Sequence, residues 1–152
     1  MRRHYAAAPQ AVWRAWTDPQ ALMAWFGPAG PGTATVAEMD LQVGGRYRFA
    51  FSTPDGEAHE VSGVYQEVQP PFRLVFSWAW HSTPERVSRV TLDLQPADGG
   101  CELRFTHDRF FDERARANHQ RGWPSFLQRL DGWLSATPSG SPSSVTTPRT
   151  CE

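Results

Sequence analysis

The stretch Asp112 to Leu134, D-E-R-A-R-A-N-H-Q-R-G-W-P-S-F-L-Q-R-L-D-G-W-L, decides how the rest of the chain is read. Its apolar residues Ala115, Trp123, Phe126, Leu127, Leu130 and Leu134 recur at helical spacing and form one stripe. Asp112 and Glu113 stand at its start, where negative charge suits a helix. At ~1.5 Å per residue such a helix runs roughly 34 Å, enough to cross a small domain. Gly122 and Pro124 predict a kink or a restart near Trp123, because a proline lacks the N–H and clashes with the preceding turn.

Upstream of this helix the pattern changes twice. Arg2 to Ala8 reads as a short first strand. Pro9 opens a helix with Val12, Trp13 and Trp16 on its apolar face; Asp18-Pro19 ends it and starts a second through Leu22, Trp25 and Phe26. A Gly/Pro loop runs from Gly27 to Gly32. From Thr33 the period becomes two, with strands expected at Thr33 to Asp40, Arg46 to Phe51, Glu60 to Val68, Arg73 to Trp80, Val87 to Leu94 and Cys101 to His107. Gly44-Gly45, Asp55-Gly56 and Asp98-Gly99-Gly100 supply the turns between strands. A sheet with one apolar face must be covered, and only the last helix is long enough to do it. The expectation is an α+β fold in which a curved antiparallel sheet of about six to seven strands grips that helix and encloses space beneath it.

Composition narrows the function. At 152 residues the chain reads as one domain, 1–135, followed by a Ser/Thr/Pro-rich tail, 136–152, that is too poor in apolar residues to offset its own ordering entropy and is expected to be disordered. A net charge of -1 provides no field for nucleic acid or acidic lipid. All fifteen basic residues are arginine, which together with the many Ala, Pro and Gly reads as coding bias. Seven Trp and nine Phe are enough to fill a core or line an apolar pocket. Cys101 and Cys151 are not expected to pair, since Cys151 lies in the tail. No apolar run reaches membrane-spanning length and the N-terminus lacks a signal-peptide core, so a cytoplasmic protein is expected.

Five segments in order resemble one family: A-P-Q-A-V-W-R-A-W-T-D-P-Q-A-L-M-A-W-F, D-L-Q-V-G-G-R-Y-R-F, D-G-E-A-H-E-V-S-G-V-Y-Q-E-V-Q-P-P-F-R-L-V-F-S-W, G-G-C-E-L-R-F-T-H and G-W-P-S-F-L-Q-R-L. It is the family homologous to activators of the heat-shock protein 90 ATPase, within the START-like (SRPBCC) superfamily, and the likeness runs from about Tyr5 to Leu134. The resemblance implies a helix-grip fold with a deep hydrophobic cavity between sheet and helix. It implies no single activity: relatives include lipid and hormone carriers, aromatase/cyclase-like enzymes and bacterial proteins of unknown role. A short first strand, Pro124 and the tail are departures from the pattern.

In such a fold Tyr47, Phe49, Phe51, Phe76, Trp78 and Trp80 are expected to line one wall. Trp123, Phe126, Leu127 and Leu130 are expected along the helix side, Leu130 more simply as core, with Trp25 and Phe26 at the mouth. Phe105 and His107, on an inward face with Leu103, are also expected in the lining; His107 either hydrogen-bonds a ligand or is satisfied internally by backbone or a hydroxyl such as that of Tyr65. The segment Glu113 to Arg121 reads as a solvated helix face that can also rim the entrance and attract an anionic ligand end. No catalytic set is expected: Ser82, Ser88 and Ser125 lack a nucleophile-elbow frame, and the five histidines show no metal-ligand spacing. Gly44-Gly45 lacks the following helix of a phosphate loop, and no cofactor is expected.

The reading favoured by the sequence is therefore non-catalytic binding of a small hydrophobic or amphipathic molecule, lipid included. A chaperone ATPase co-factor ranks second, because the eukaryotic namesake adds a second domain for which 152 residues leave no room. A cyclase-like enzyme ranks third, because its acid–base pair would have to come from His107 with distant Asp108 or Glu38. Homodimerisation is left open; membrane insertion and nucleic-acid binding are not expected.

Overall fold

The computed structural model describes residues 1–26, 34–53 and 55–136. Ten elements follow in order: β1 (Arg2–Tyr5), α1 (Pro9–Thr17), α2 (Pro19–Trp25), β2 (Ala34–Met39), β3 (Arg46–Ser52), β4 (Ala58–Gln69), β5 (Arg73–Trp80), β6 (Ser88–Ala97), β7 (Gly100–Asp108) and α3 (Glu113–Ala136). The strands form one antiparallel sheet in the order β1-β7-β6-β5-β4-β3-β2, so the excursion through α1 and α2 carries the chain from one sheet edge to the other. With α3 gripped against it, this curved open sheet is a helix-grip fold. The Gly/Pro loop from Gly27 to Gly32 lies outside the described residues, as does the expected tail beyond Ala136. Cys101 is a free, buried thiol. No helix among the described residues is long and apolar enough to cross a membrane.

Side-chain alternation gives the sheet two unlike faces. Tyr47, Phe49 and Phe51 on β3, Phe76 and Trp78 on β5, and Leu103 and Phe105 on β7 are all buried on the concave side. The outer face is held by ion pairs: Arg48 with Glu38 and Glu60, Arg73 with Glu67 at 3.1 Å and Asp93 at 2.7 Å, and Arg89 with Asp108. Geometry requires glycine at several positions, of which two shape the sheet. Gly99 (φ 76°) follows Asp98 (φ 49°) in the tight β6–β7 turn, where both central residues take positive φ. Gly63 lies where β4 approaches β5 so closely that a Cβ would fall 2.1 Å from the Ser77 carbonyl oxygen.

The helices start where the sequence supplies caps. The Asp18 side chain accepts from the backbone N–H groups of Gln20 and Ala21 to open α2, and Asp112 accepts from Ala115 at 2.8 Å to open α3. The expected restart near Trp123 does not occur: α3 runs from Glu113 to Ala136 as one element through Pro124. Trp123 and Leu127, on either side of the proline, are both buried, so tertiary packing carries the helix past a residue that costs it about 3 kcal/mol in isolation.

The cover of the sheet also differs from the expectation that the last helix does it alone. Trp16 of α1 and Trp25 of α2 are each 1% exposed and meet edge to face at 4.8 Å between ring centroids. Trp16 reaches Phe76, Phe105 and Trp123. The short helices thus push bulk into the middle of the grip that length alone did not foretell. They are pinned to α3 by Arg129, whose Nε donates to the Trp25 carbonyl, and α3 is pinned to β1 by Tyr5, whose hydroxyl donates to the Leu127 carbonyl.

Candidate functional site

Space remains where α1 and α2 do not reach. A cavity of about 590 Å³ lies under the N-terminal half of α3. Its walls are Phe51, Trp78 and Trp80 from the ends of β3 and β5, and Trp123, Phe126 and His119 from α3. The β5–β6 loop adds Thr83 and Arg86, and the β7–α3 loop adds Phe110 and Phe111. Exposed Phe111, Asp112, Arg114 and Asn118 mark the mouth.

Of the residues expected to line a cavity, the structure brings Phe51, Trp78, Trp80, Trp123 and Phe126 to it. Tyr47, Phe49, Phe76, Phe105 and Leu127 pack in the hydrophobic core instead. Trp25 and Phe26, expected at the mouth, are each 1% exposed in that same core, because α2 folds inward onto α1. His107 stands behind the wall, not in the lining. The sequence reading passed over Phe110, Phe111, Arg86 and His59. A signal for the first two existed: an adjacent apolar pair directly ahead of a helix and outside any strand.

Two histidines under α3, His107 and His119, are fixed in single tautomers. Trp123 Nε1–H donates to His107 Nδ1 at 3.0 Å. An indole can only donate, so the His107 proton must sit on Nε2 and point at Ser88 Oγ, 2.7 Å away. The Ser88 hydroxyl in turn donates to the Trp78 carbonyl. His107 is therefore satisfied internally, through Trp123 and Ser88 and not through Tyr65. Burial, reinforced by the neighbouring His119, drives its pKa down to about 2. His119 donates from Nδ1 to the Ala115 carbonyl at 2.7 Å and accepts the Trp80 indole N–H on Nε2 at 2.9 Å; burial lowers its pKa as well.

This geometry bears on catalysis. Ser88 and His107 have the separation of a nucleophile and its base, yet the proton on Nε2 faces the hydroxyl, so the imidazole cannot take the serine proton. The two carboxylates considered for a cyclase are engaged elsewhere: Asp108 pairs with Arg89 and Glu38 with Arg48, and neither lines the cavity. The buried Nε1 of Trp78, in the wall, has no partner among the described residues.

The family described as Activator of Hsp90 ATPase homolog 1-like protein matches residues 6–135. The chain belongs to that family, within the START-like superfamily. Among solved structures it is similar to a protein from Rhodobacter sphaeroides, at 30% identity over 91% of this chain and 92% of that one, with a TM-score of 0.77. An AHSA1 protein from Silicibacter pomeroyi is similar at 26% identity, covering 89% of this chain and 95% of that one, with a TM-score of 0.74. An AHSA1-like protein from Aeromonas hydrophila follows at 25% identity over 90% of each chain, with a TM-score of 0.73. A search of curated proteins finds no match.

Proposed function

We propose that this family member is a cytoplasmic carrier or sensor that binds a small apolar or amphipathic molecule under the N-terminal half of α3 and leaves it chemically unchanged. The observation that carries the reading is the aromatic-walled cavity of about 590 Å³, a size suited to small-molecule sites, which span roughly 300–1,000 Å³. The locked tautomers of His107 and His119 support binding over catalysis. Native mass spectrometry of freshly purified protein tests it. A co-purified small molecule that is lost on denaturation is the expected result. Absence of any adduct, together with failure to bind apolar fluorophores, overturns it.

The family's description favours a second reading, a chaperone ATPase co-factor. Adding the protein to an Hsp90 homologue and following ATP turnover separates the two. We expect no stimulation, since the reading above assigns the function to an interior site. A reproducible, saturable increase would replace the carrier by the co-factor.

A further inference from the structure

Resting on the small-molecule reading, we propose that the ligand is a planar aromatic anion, with its ring system against Trp78 and Trp123 and its acid group at the mouth between Arg86 and Arg114. The floor is rigid and aromatic: Trp78 and Trp123 are 2% and 4% exposed, with ring centroids 5.1 Å apart, and Phe126 stands 5.5 Å from Trp123. Aromatic walls of this kind reward flat partners that offer ring faces and edges.

Among the lining residues two arginines, Arg86 and Arg114, stand against a single carboxylate, Asp112. Arg86 lies over the Phe111 ring at 4.2 Å, which holds the guanidinium at the entrance, and its Nε makes a long, exposed ion pair with Glu85 at 3.8 Å. Arg114 has no ion-pair or hydrogen-bond partner among the described residues. By contrast, Arg73 and Arg89 on the outer sheet face are each held by carboxylates. Asp112 is the lining carboxylate, and one of its oxygens caps α3 through the Ala115 N–H. Glu113 is clamped by Arg116. Two guanidinium groups therefore face the entrance with donors to spare, and Asn118 and Thr83 add neutral hydrogen-bonding groups beside them. An acid group held there keeps part of its hydration, so it escapes most of the cost of burying a charge.

A matched pair of fluorophores tests the charge separately from the cavity. Phenylnaphthylamine is neutral, and anilinonaphthalene sulfonate is the same skeleton carrying one anionic group. Both are titrated into the full chain, and into a double variant Arg86→Gln, Arg114→Gln. These arginines are exposed, and an unchanged melting midpoint verifies that the variant folds. The expected result is competition of both probes for one site, with the anion bound roughly fivefold more tightly, as for two solvent-screened charge contacts. The double variant should erase that preference without changing the affinity of the neutral probe, and added salt should shrink it in the parent. Equal affinities for the two probes, or a preference that survives in the double variant, overturn the anion assignment while the cavity reading stands. Failure of both probes to bind overturns the cavity reading with it.

Discussion

From Leu127 onward, α3 is set into solid protein: Leu127 and Leu130 are fully inaccessible, Tyr5 holds the Leu127 carbonyl, and Arg129 holds the end of α2. Ahead of Trp123 the same helix presents Ala115, Asn118, His119 and Gly122 to a cavity. Its ties to the sheet here are the bonds from Trp80 to His119 and from Trp123 to His107. Both halves lie over one sheet, so the sheet does not make the difference. The filler does: Trp16, Trp25 and Leu22 from the short helices occupy the space under one half and end at Trp123, where Trp16 meets it at 6.4 Å. A binding cavity in this grip is the volume that α1 and α2 leave over.

The boundary residue should show the largest effect. Trp123→Ala removes a buried ring packed 4.5 Å from Phe105 and strips His107 of its donor, so a loss of about 3–5 kcal/mol is expected in urea unfolding. Trp123→Phe keeps most of the packing and isolates the hydrogen bond, with an expected loss of about 1–3 kcal/mol. A small effect for Trp123→Ala would move the boundary toward the C-terminus.

The halves themselves can be compared by truncation. Leu130→Ala should cost about 2–5 kcal/mol, as in other packed cores. Phe111→Ala, at the cavity mouth and 62% exposed, should change stability by no more than about 0.5 kcal/mol. Similar losses at both sites would mean that the mouth is part of the core.

Acidification should act on the cavity side. The pKa of His107 is held at about 2 in the folded protein, against 6.5 in its absence. Below the unfolded value, the unfolded chain binds a proton that the native chain refuses, so stability falls as pH drops from neutrality. The expected slope is up to about 1.4 kcal/mol per pH unit for this residue, and His119 contributes with the same sign. His107→Gln should flatten the slope between about pH 7 and pH 5.5, where histidine titration dominates. Parallel pH profiles for parent and variant would show that His107 titrates normally in the folded state.

Much of this comparison was visible in the sequence, but unevenly. Period-two alternation in Arg46–Ser52 and Arg73–Trp80 marks the concave face, and the stripe from Trp123 to Leu134 marks the helix that covers it. Both are local patterns, set by which face is buried. What fills the middle is not local. Trp25 sits in the core because its indole N–H reaches the Ala15 carbonyl across the α1–α2 turn, an arrangement no periodicity encodes. The inward-facing position of His107 is legible by alternation, yet its partners lie 16 and 19 residues away on other elements. The basic segment from Glu113 to Arg121 could be read as solvated face or cavity rim, and only the position of the cavity shows that Arg114, Asn118 and His119 face it.

Hydrogen exchange along α3, with and without phenylnaphthylamine, tests the central comparison most directly. Amides from Ala117 to Gly122 should exchange faster than those from Leu127 to Leu134, because fewer packed side chains oppose local opening there. The probe should slow the first group and leave the second unchanged. Uniformly slow exchange along both halves, indifferent to the probe, would contradict the division of α3 into a core half and a cavity half.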